Sequence, residues 1–220
     1  MTEVWYVAVD AVPAGLAALL DDRDRERLNR LARQRDRARS LAAWTLARLV
    51  LARWLQRPPE RLAFDRTCRH CGAGHGKPVA DPMVDFSVSH TGDLAVVAVS
   101  EHTVGVDAED TTAGRTPVTW ALSEPERAQC RDYASFARVW TRKEAVLKAL
   151  GRGVTVRPAD VVTSGTTLLS LPPGLGDPRD FTLHDLLFPT PYVGTVAVRG
   201  NPGQVTVRHG STLIDAHRLR

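Results

Sequence analysis

The 220 residues carry 29 basic and 25 acidic side chains, a formal charge of +4, with 43% hydrophobic and 25% charged residues. That balance fits an ordinary folded chain of one sizeable domain or two small ones and excludes disorder as its dominant state. No run reaches the ~18 consecutive apolar residues of a spanning helix, Glu3 and Asp10 stand where a basic leader would lie, and three cysteines are too few for a disulfide framework. A reducing, cytoplasmic setting is expected.

The charge is unevenly placed. Arg23 to Arg69 hold 14 arginines against five acids, a local +9 that leaves the remainder at −5. Such a segment suits a polyanion, or a solvated helix face with acids as i, i+4 partners. Arginine excess commonly follows genome base composition, which makes the three lysines, Lys77, Lys143 and Lys148, the more telling cations.

In chain order, Val4 to Val9 reads as a first strand. After Pro13 the composition turns helical, and Ser40 to Gln56 is apolar on most sides, so the pattern predicts a largely buried helix stopped by Pro58-Pro59. Arg48 and Arg53 are then its few wet positions or buried charges with partners. Phe64 to Asp81 is a loop rich in Gly, Cys and His. Phe86 to His90 and Leu94 to Val99 form strands about a turn at Thr91-Gly92-Asp93, and Val104 to Glu109 forms another. Ser123 and Glu126 make a capping box, and a helix from about Ser135 to Leu150 ends at Gly151. A faint echo links 85–99 to 180–198, pointing to two α/β halves that meet near 100–105.

Chemistry concentrates in three places. Asp107 and Glu109, two apart in a strand, share a face with Cα atoms about 7 Å apart. Two adjacent carboxylates repel unless a cation lies between them, and Mg²⁺ on substrate phosphates is held by such pairs; two exposed acids at a strand end are the alternative. Gly105 would allow a ligand to approach closely. Trp140, Glu144 and Lys148 share a helix face at i, i+4, i+8, either as a surface ion pair or as a third carboxylate with a cation. Lys77, Ser89 and His90 flank a strand and could clasp a phosphate.

Gly76-Lys77-Pro78, Phe86-Ser87-Val88-Ser89-His90-Thr91-Gly92, Gly105-Val106-Asp107-Ala108-Glu109 and Trp140-Thr141-Arg142-Lys143-Glu144-Ala145-Val146-Leu147-Lys148, in this order and spacing, resemble the Sfp-type 4′-phosphopantetheinyl transferases. The resemblance covers roughly residues 25 to 160. It implies an α/β (α+β) fold of two similar halves related by pseudo-two-fold symmetry, each a small antiparallel sheet on a long helix. The first half, 1–102, would bind coenzyme A, and the second, 103–220, would carry the acids and catalytic helix. Asp107, Glu109 and Glu144 match the family's Mg²⁺-binding acids, where Mn²⁺ could substitute. Glu144 also matches the general base, and Lys148 the lysine on the departing phosphate. Lys77, Ser89 and His90 match contacts to the 3′-phosphate of coenzyme A, Arg39 and Ser40 fall at further phosphate contacts, and Arg27 is a weaker match. Beside a metal the Glu144 carboxyl would have a low pKa. The implied reaction moves the 4′-phosphopantetheine arm of coenzyme A onto a serine of an apo acyl or peptidyl carrier protein, releasing adenosine 3′,5′-bisphosphate. The partners are the carrier and coenzyme A, with no nucleic acid and no membrane, and the chain is expected to be a monomer.

The other readings are a noncatalytic coenzyme A-binding or carrier-docking protein and a nucleic-acid module, the latter without any aromatic-interleaved basic motif. Arg127, Arg131 and Arg138 could meet an acidic carrier helix. Cys68 and Cys71, with His70 and His75, have the ligand chemistry of a zinc knuckle, but four ligands crowd into eight residues and no second pair follows. The alternative is a Gly-rich loop near the nucleotide.

Overall fold

The computed structural model describes residues 1–68 and 71–218, the side chain of Val154 excepted. Strand β1 (Thr2–Ala8) is followed by a short helix α1 (Asp22–Asn29) and the long α2 (Gln34–Leu55). A hairpin follows, β2 (Asp85–Thr91) and β3 (Leu94–Ser100), then β4 (Val104–Asp110), α3 (Glu124–Gln129) and α4 (Tyr133–Leu150). The chain continues through β5 (Val162–Ser164), β6 (Thr167–Ser170), β7 (Phe181–Leu187), β8 (Tyr192–Arg199), β9 (Val205–His209) and α5 (Ser211–Arg218).

The predicted helices form where their patterns place them. Apolar side chains of α2, among them Leu46, Leu49 and Val50, are buried against Val7, Val97 and Phe86. The helix ends at Gln56 in the left-handed region, just before the two prolines. Ser123 and Glu126 close their capping box, and Gly151 caps α4 with φ +63°. Arg48 proves to be buried rather than wet. Its guanidinium binds Asp21, Asp24 at 3.5 Å and the carbonyl of Leu62 at 2.7 Å, while Arg66 meets Asp24 at 2.7 Å and lies over the Trp44 ring. An arginine in the apolar face of α2 is tolerated because each charge has a counter-charge.

The first sheet has the order β2-β3-β1-β9 and the second β4-β8-β7. The order β2-β3-β1 recurs as β7-β8-β4, all antiparallel, and the echo between 85–99 and 180–198 falls on the two corresponding hairpins. Small antiparallel sheets packed on α2 and α4 are therefore present as expected. One strand departs from the pattern: β9 returns from the end of the chain to pair parallel with β1, and Ile214 of α5 is buried in the α2 core.

The two sheets meet along β2 and β4 through a ladder of side chains. The backbone N–H groups of Val104, Val106, Ala108 and Asp110 donate to side-chain oxygens of Asp85, Ser87, Ser89 and Thr91 at 2.8, 3.1, 3.3 and 3.2 Å. Alternate residues of β2 face β4, and alternate N–H groups of β4 face β2, so both repeat every two residues. Gly105 lets β4 lie directly on α4. A Cβ there would stand 1.9 Å from the Ala145 carbonyl oxygen and 2.4 Å from the Ala149 nitrogen. The close approach that glycine permits is thus made by a helix, not by a ligand.

Gly105→Ala should force β4 off α4 and lower stability by about 3 kcal/mol, the upper part of the usual overpacking range. Thermal or urea unfolding of the variant measures it, and an unchanged midpoint would contradict this packing.

Candidate active site

Asp107 sits mid-strand in β4, nine-tenths buried. Its Oδ1 accepts from Ser89 Oγ at 2.8 Å and from Lys148 Nζ at 2.7 Å. Its Oδ2 is buried without a hydrogen-bond partner. Two residues on, Glu109 accepts at 3.4 Å from Thr91 Oγ1 and from the Tyr133 hydroxyl, with Arg115 3.9 Å away. Burial, then the neighbouring charge of Asp107, raises its pKa.

Glu144 and Lys148 are one turn apart on α4, the helix that β4 covers. Burial first, and then the Asp107 carboxylate, pushes the Glu144 carboxyl up to about 6; Lys148 opposes the shift and Glu109 adds to it. The protein alone therefore holds this carboxyl above its ordinary value; the low value expected beside a metal refers to the loaded site. The Asp107 charge thus raises the cost of ionising both Glu109 and Glu144, the electrostatic condition that a divalent cation relieves. The unpartnered Asp107 oxygen and this all-oxygen set fit Mg²⁺ in chemistry. Their oxygens do not gather within 4.8 Å of one another, and Lys148 neutralises the inner face of Asp107.

The remaining predicted residues divide between the surface and the seam. His90 alternates with Ser89 along β2, so the two side chains leave the strand on opposite faces. His90 is exposed outward but crowded on its inner side; that desolvation, then the charges of Lys148 and Arg39, lowers its pKa. Arg39, half-buried on α2, donates to the Gly92 carbonyl at 2.6 Å, and half-buried Ser40 follows it. Arg27 lines a cavity of about 210 Å³ with Arg23, Glu26, Arg30 and Gly74. Ser89 is buried, donating to Asp107 and accepting from Ala108 N–H. Lys77 binds Asp85 and donates to the Val104 carbonyl at 2.7 Å, across the start of both ladder strands. Arg127, Arg131 and Arg138 are exposed on and between α3 and α4.

Lys143, beside Glu144 in sequence, turns away from it. Fully buried, it meets Glu126 at 2.6 Å and donates to the carbonyls of Pro158 and Val161 at 3.0 and 2.6 Å. Sequence reasoning also missed Tyr133, Thr91 and Asp85 as site neighbours. The alternation Asp85, Ser87, Ser89, Thr91, small oxygen-bearing side chains at every second strand position, was the signal that could have found the ladder.

A family model described as 4′-phosphopantetheinyl transferase, N-terminal, matches residues 10–102, and one described as the 4′-phosphopantetheinyl transferase superfamily matches residues 103–188. The chain belongs to this superfamily. It is 30% identical over 132 residues to the 4′-phosphopantetheinyl transferase gsp of Aneurinibacillus migulanus, covering 56% of this chain and 52% of that one. To the 4′-phosphopantetheinyl transferase psf-1 of Bacillus pumilus it is 29% identical over 133 residues, 54% of this chain and 53% of the relative. The L-aminoadipate-semialdehyde dehydrogenase-phosphopantetheinyl transferase of Schizosaccharomyces pombe is 26% identical over 171 residues, 66% of this chain and 64% of that protein. The chain thus spans about half the length of the first two relatives. Within the superfamily-model region lie Asp107, Glu109, Glu144 and Lys148, and within the N-terminal one Arg39, Ser40, Lys77, Ser89 and His90. Among the described residues no helix is long and apolar enough to cross a membrane.

Lys143→Met leaves the Glu126 carboxylate buried without its cation and should cost about 3–5 kcal/mol, as removal of one member of a buried pair does. Chemical denaturation reads the loss; a variant as stable as the parent would show that the pair contributes nothing.

Proposed function

We propose that this chain transfers the 4′-phosphopantetheine arm of coenzyme A to a serine hydroxyl of an apo acyl or peptidyl carrier protein, with adenosine 3′,5′-bisphosphate as the second product. The observation that supports this most strongly is the meeting of Asp107, Glu109, Glu144 and Lys148 across the β4–α4 contact in a chain of this family. In the proposed step the serine oxygen bonds to the phosphorus that bears the pantetheine arm. The bond from that phosphorus to the bridging oxygen breaks, and the electron pair leaves with the nucleotide. Glu144, whose carboxyl burial and the Asp107 charge hold at about 6 without a metal, takes the serine proton; because a bound Mg²⁺ would lower that value, its role as base rests on position more than on basicity. Lys148, anchored by Asp107, places an ammonium beside the charge that grows on the leaving phosphate.

Asp107, Glu109 and Glu144 would hold Mg²⁺, which when bound neutralises pyrophosphate charge. Arg39, Ser40 and His90 are the proposed contacts of the 3′-phosphate. Ser89 and Lys77, matched to the same phosphate contacts, have polar atoms that engage Asp107, Ala108, Asp85 and Val104, and their assigned part is to hold the seam between β2 and β4. The exposed arginines Arg127, Arg131 and Arg138 suit the acidic surface of a carrier helix. A cytoplasmic monomer acting on carriers of secondary metabolism is the setting in keeping with this reading.

Incubation with Mg²⁺, coenzyme A and an apo carrier should raise the carrier's intact mass by one phosphopantetheine, and Glu144→Gln should slow this by at least about 100-fold, the scale of general-base catalysis. No shift on any of several carriers, or full activity of Glu144→Gln, would defeat the proposal. A phosphate dianion beside His90 favours the imidazolium, so coenzyme A should raise the depressed His90 pKa and bind more tightly below it, losing affinity as pH rises through the raised value. Titration of the His90 ring by NMR, with and without coenzyme A, should show that rise; an unmoved His90 pKa would remove the residue from the phosphate site.

A further inference from the structure

The loop before Lys77 is more closely built than its glycine content requires. Two short arms pair antiparallel at Asp65 and Val79, with N–H···O bonds of 2.9 and 2.8 Å, and Gly76 N–H donates to the Arg66 carbonyl at 2.7 Å. Between the arms the chain makes a tight turn. Cys68 N–H donates to the Ala73 carbonyl at 2.7 Å, and Gly72 N–H returns to the Cys68 carbonyl at 2.8 Å. Gly72 takes φ +73°, a left-handed conformation open to glycine at no steric cost. This turn carries Cys68 and Cys71 on one loop and brings His75 back beneath them.

One ligand atom from each of Cys68, Cys71 and His75 lies within 4.8 Å of the others, and among the described residues no other group of three such side chains gathers so closely. The Cys71 Sγ and His75 Nε2 are 3.1 Å apart, so the imidazole presents that nitrogen to the sulfur. In a tetrahedral zinc site with Zn–S near 2.3 Å and Zn–N near 2.0 Å, ligand atoms are separated by roughly 3.5–3.8 Å. The three donors therefore need to move by only about 1 Å to close on an ion. Two thiolates and an imidazole are a soft, borderline set that selects zinc over Mg²⁺ or Ca²⁺. Arg23 ties this loop to α1, donating to the Gly74 carbonyl at 3.3 Å.

We propose that Cys68, Cys71 and His75 form a zinc-binding knuckle. The fourth tetrahedral position falls to water or a further side chain; His70, which stands between the cysteines in sequence, lies outside the described residues. The ion would lock the turn two residues ahead of Lys77, whose ammonium spans Asp85 and the Val104 carbonyl at the head of the β2–β4 ladder. Zinc at this place is structural, bracing the seam from outside, and is chemically distinct from the oxygen set of Asp107, Glu109 and Glu144. The proposal does not depend on the transferase reading.

The test is the metal content of the purified chain by elemental mass spectrometry, together with Co²⁺ substitution. About one zinc per chain is expected, in line with a single site. Co²⁺ in its place should give the intense visible bands of a tetrahedral ion and a thiolate-to-cobalt charge-transfer band. Cys71→Ser and His75→Ala, both at exposed positions, should weaken Zn²⁺ binding by more than about 100-fold, beyond what loss of an outer-shell partner costs. Cys130→Ser, outside the loop, should leave metal content and spectrum unchanged. A chain that takes up no zinc and shows no cobalt–thiolate band, one that instead carries a Cys68–Cys71 disulfide, or a spectrum unaltered in Cys71→Ser would overturn the proposal.

Discussion

Everything in the candidate site hangs on the fact that β2 and β4 are joined by side chains instead of by a backbone ladder. A strand edge presents N–H groups at every second residue, and each one buried without a partner costs free energy comparable to a lost hydrogen bond. Here Asp85, Ser87, Ser89 and Thr91 supply the four acceptors. Short oxygen-bearing side chains are needed, because a longer one would push the sheets apart and an apolar one would leave β4 unsatisfied. The register they impose sets Ser89 against Asp107 and Thr91 against Glu109, so the first half of the chain positions acids that belong to the second. Gly105 supplies the complementary constraint on the other side, where β4 touches the α4 backbone and brings Glu144 and Lys148 up to the same acids.

The cations of this protein are assigned by burial. Lys148 neutralises Asp107, Lys77 spans the start of the ladder, and Lys143 is enclosed with Glu126 under the neighbouring loop. Arg48 and Arg66 form a second buried network with Asp21 and Asp24 beneath α2, charge-neutral in itself, which takes two of the segment's arginines away from any ligand. Arginines on α1 and around α3, among them Arg27, Arg127, Arg131 and Arg138, remain exposed to solvent. A net +4 therefore says little by itself; the residues that remain open to solvent carry its meaning.

Much of this was legible in the sequence because local rules and the tertiary structure agree. The apolar stretch of α2 and its proline stop, the Ser123–Glu126 box, the Gly151 cap and the hairpin about Gly92 all follow from periodicity and capping. What escaped was set by long-range packing. Val205 to His209 contains nothing that announces a parallel partner 200 residues earlier, and its pairing with β1 is decided only once both sheets exist. Lys143 shares a motif with Glu144, yet helix geometry rotates adjacent residues about 100° apart, so one faces the acids and the other the core. Ser89 and His90 likewise read as one clasp in sequence, and a strand's two-residue period sends them to opposite faces.

The most direct measurement of the central claim, that a seam built from one half positions transfer chemistry in the other, is the rate of phosphopantetheine transfer by Ser89→Ala, followed by intact carrier mass, alongside its affinity for coenzyme A. The account predicts that the parent chain modifies a carrier, that the variant does so about tenfold more slowly or worse because Asp107 loses its fixed position, and that coenzyme A binding changes little. A parent chain inert toward every carrier, or a variant that transfers at the parental rate, would contradict it.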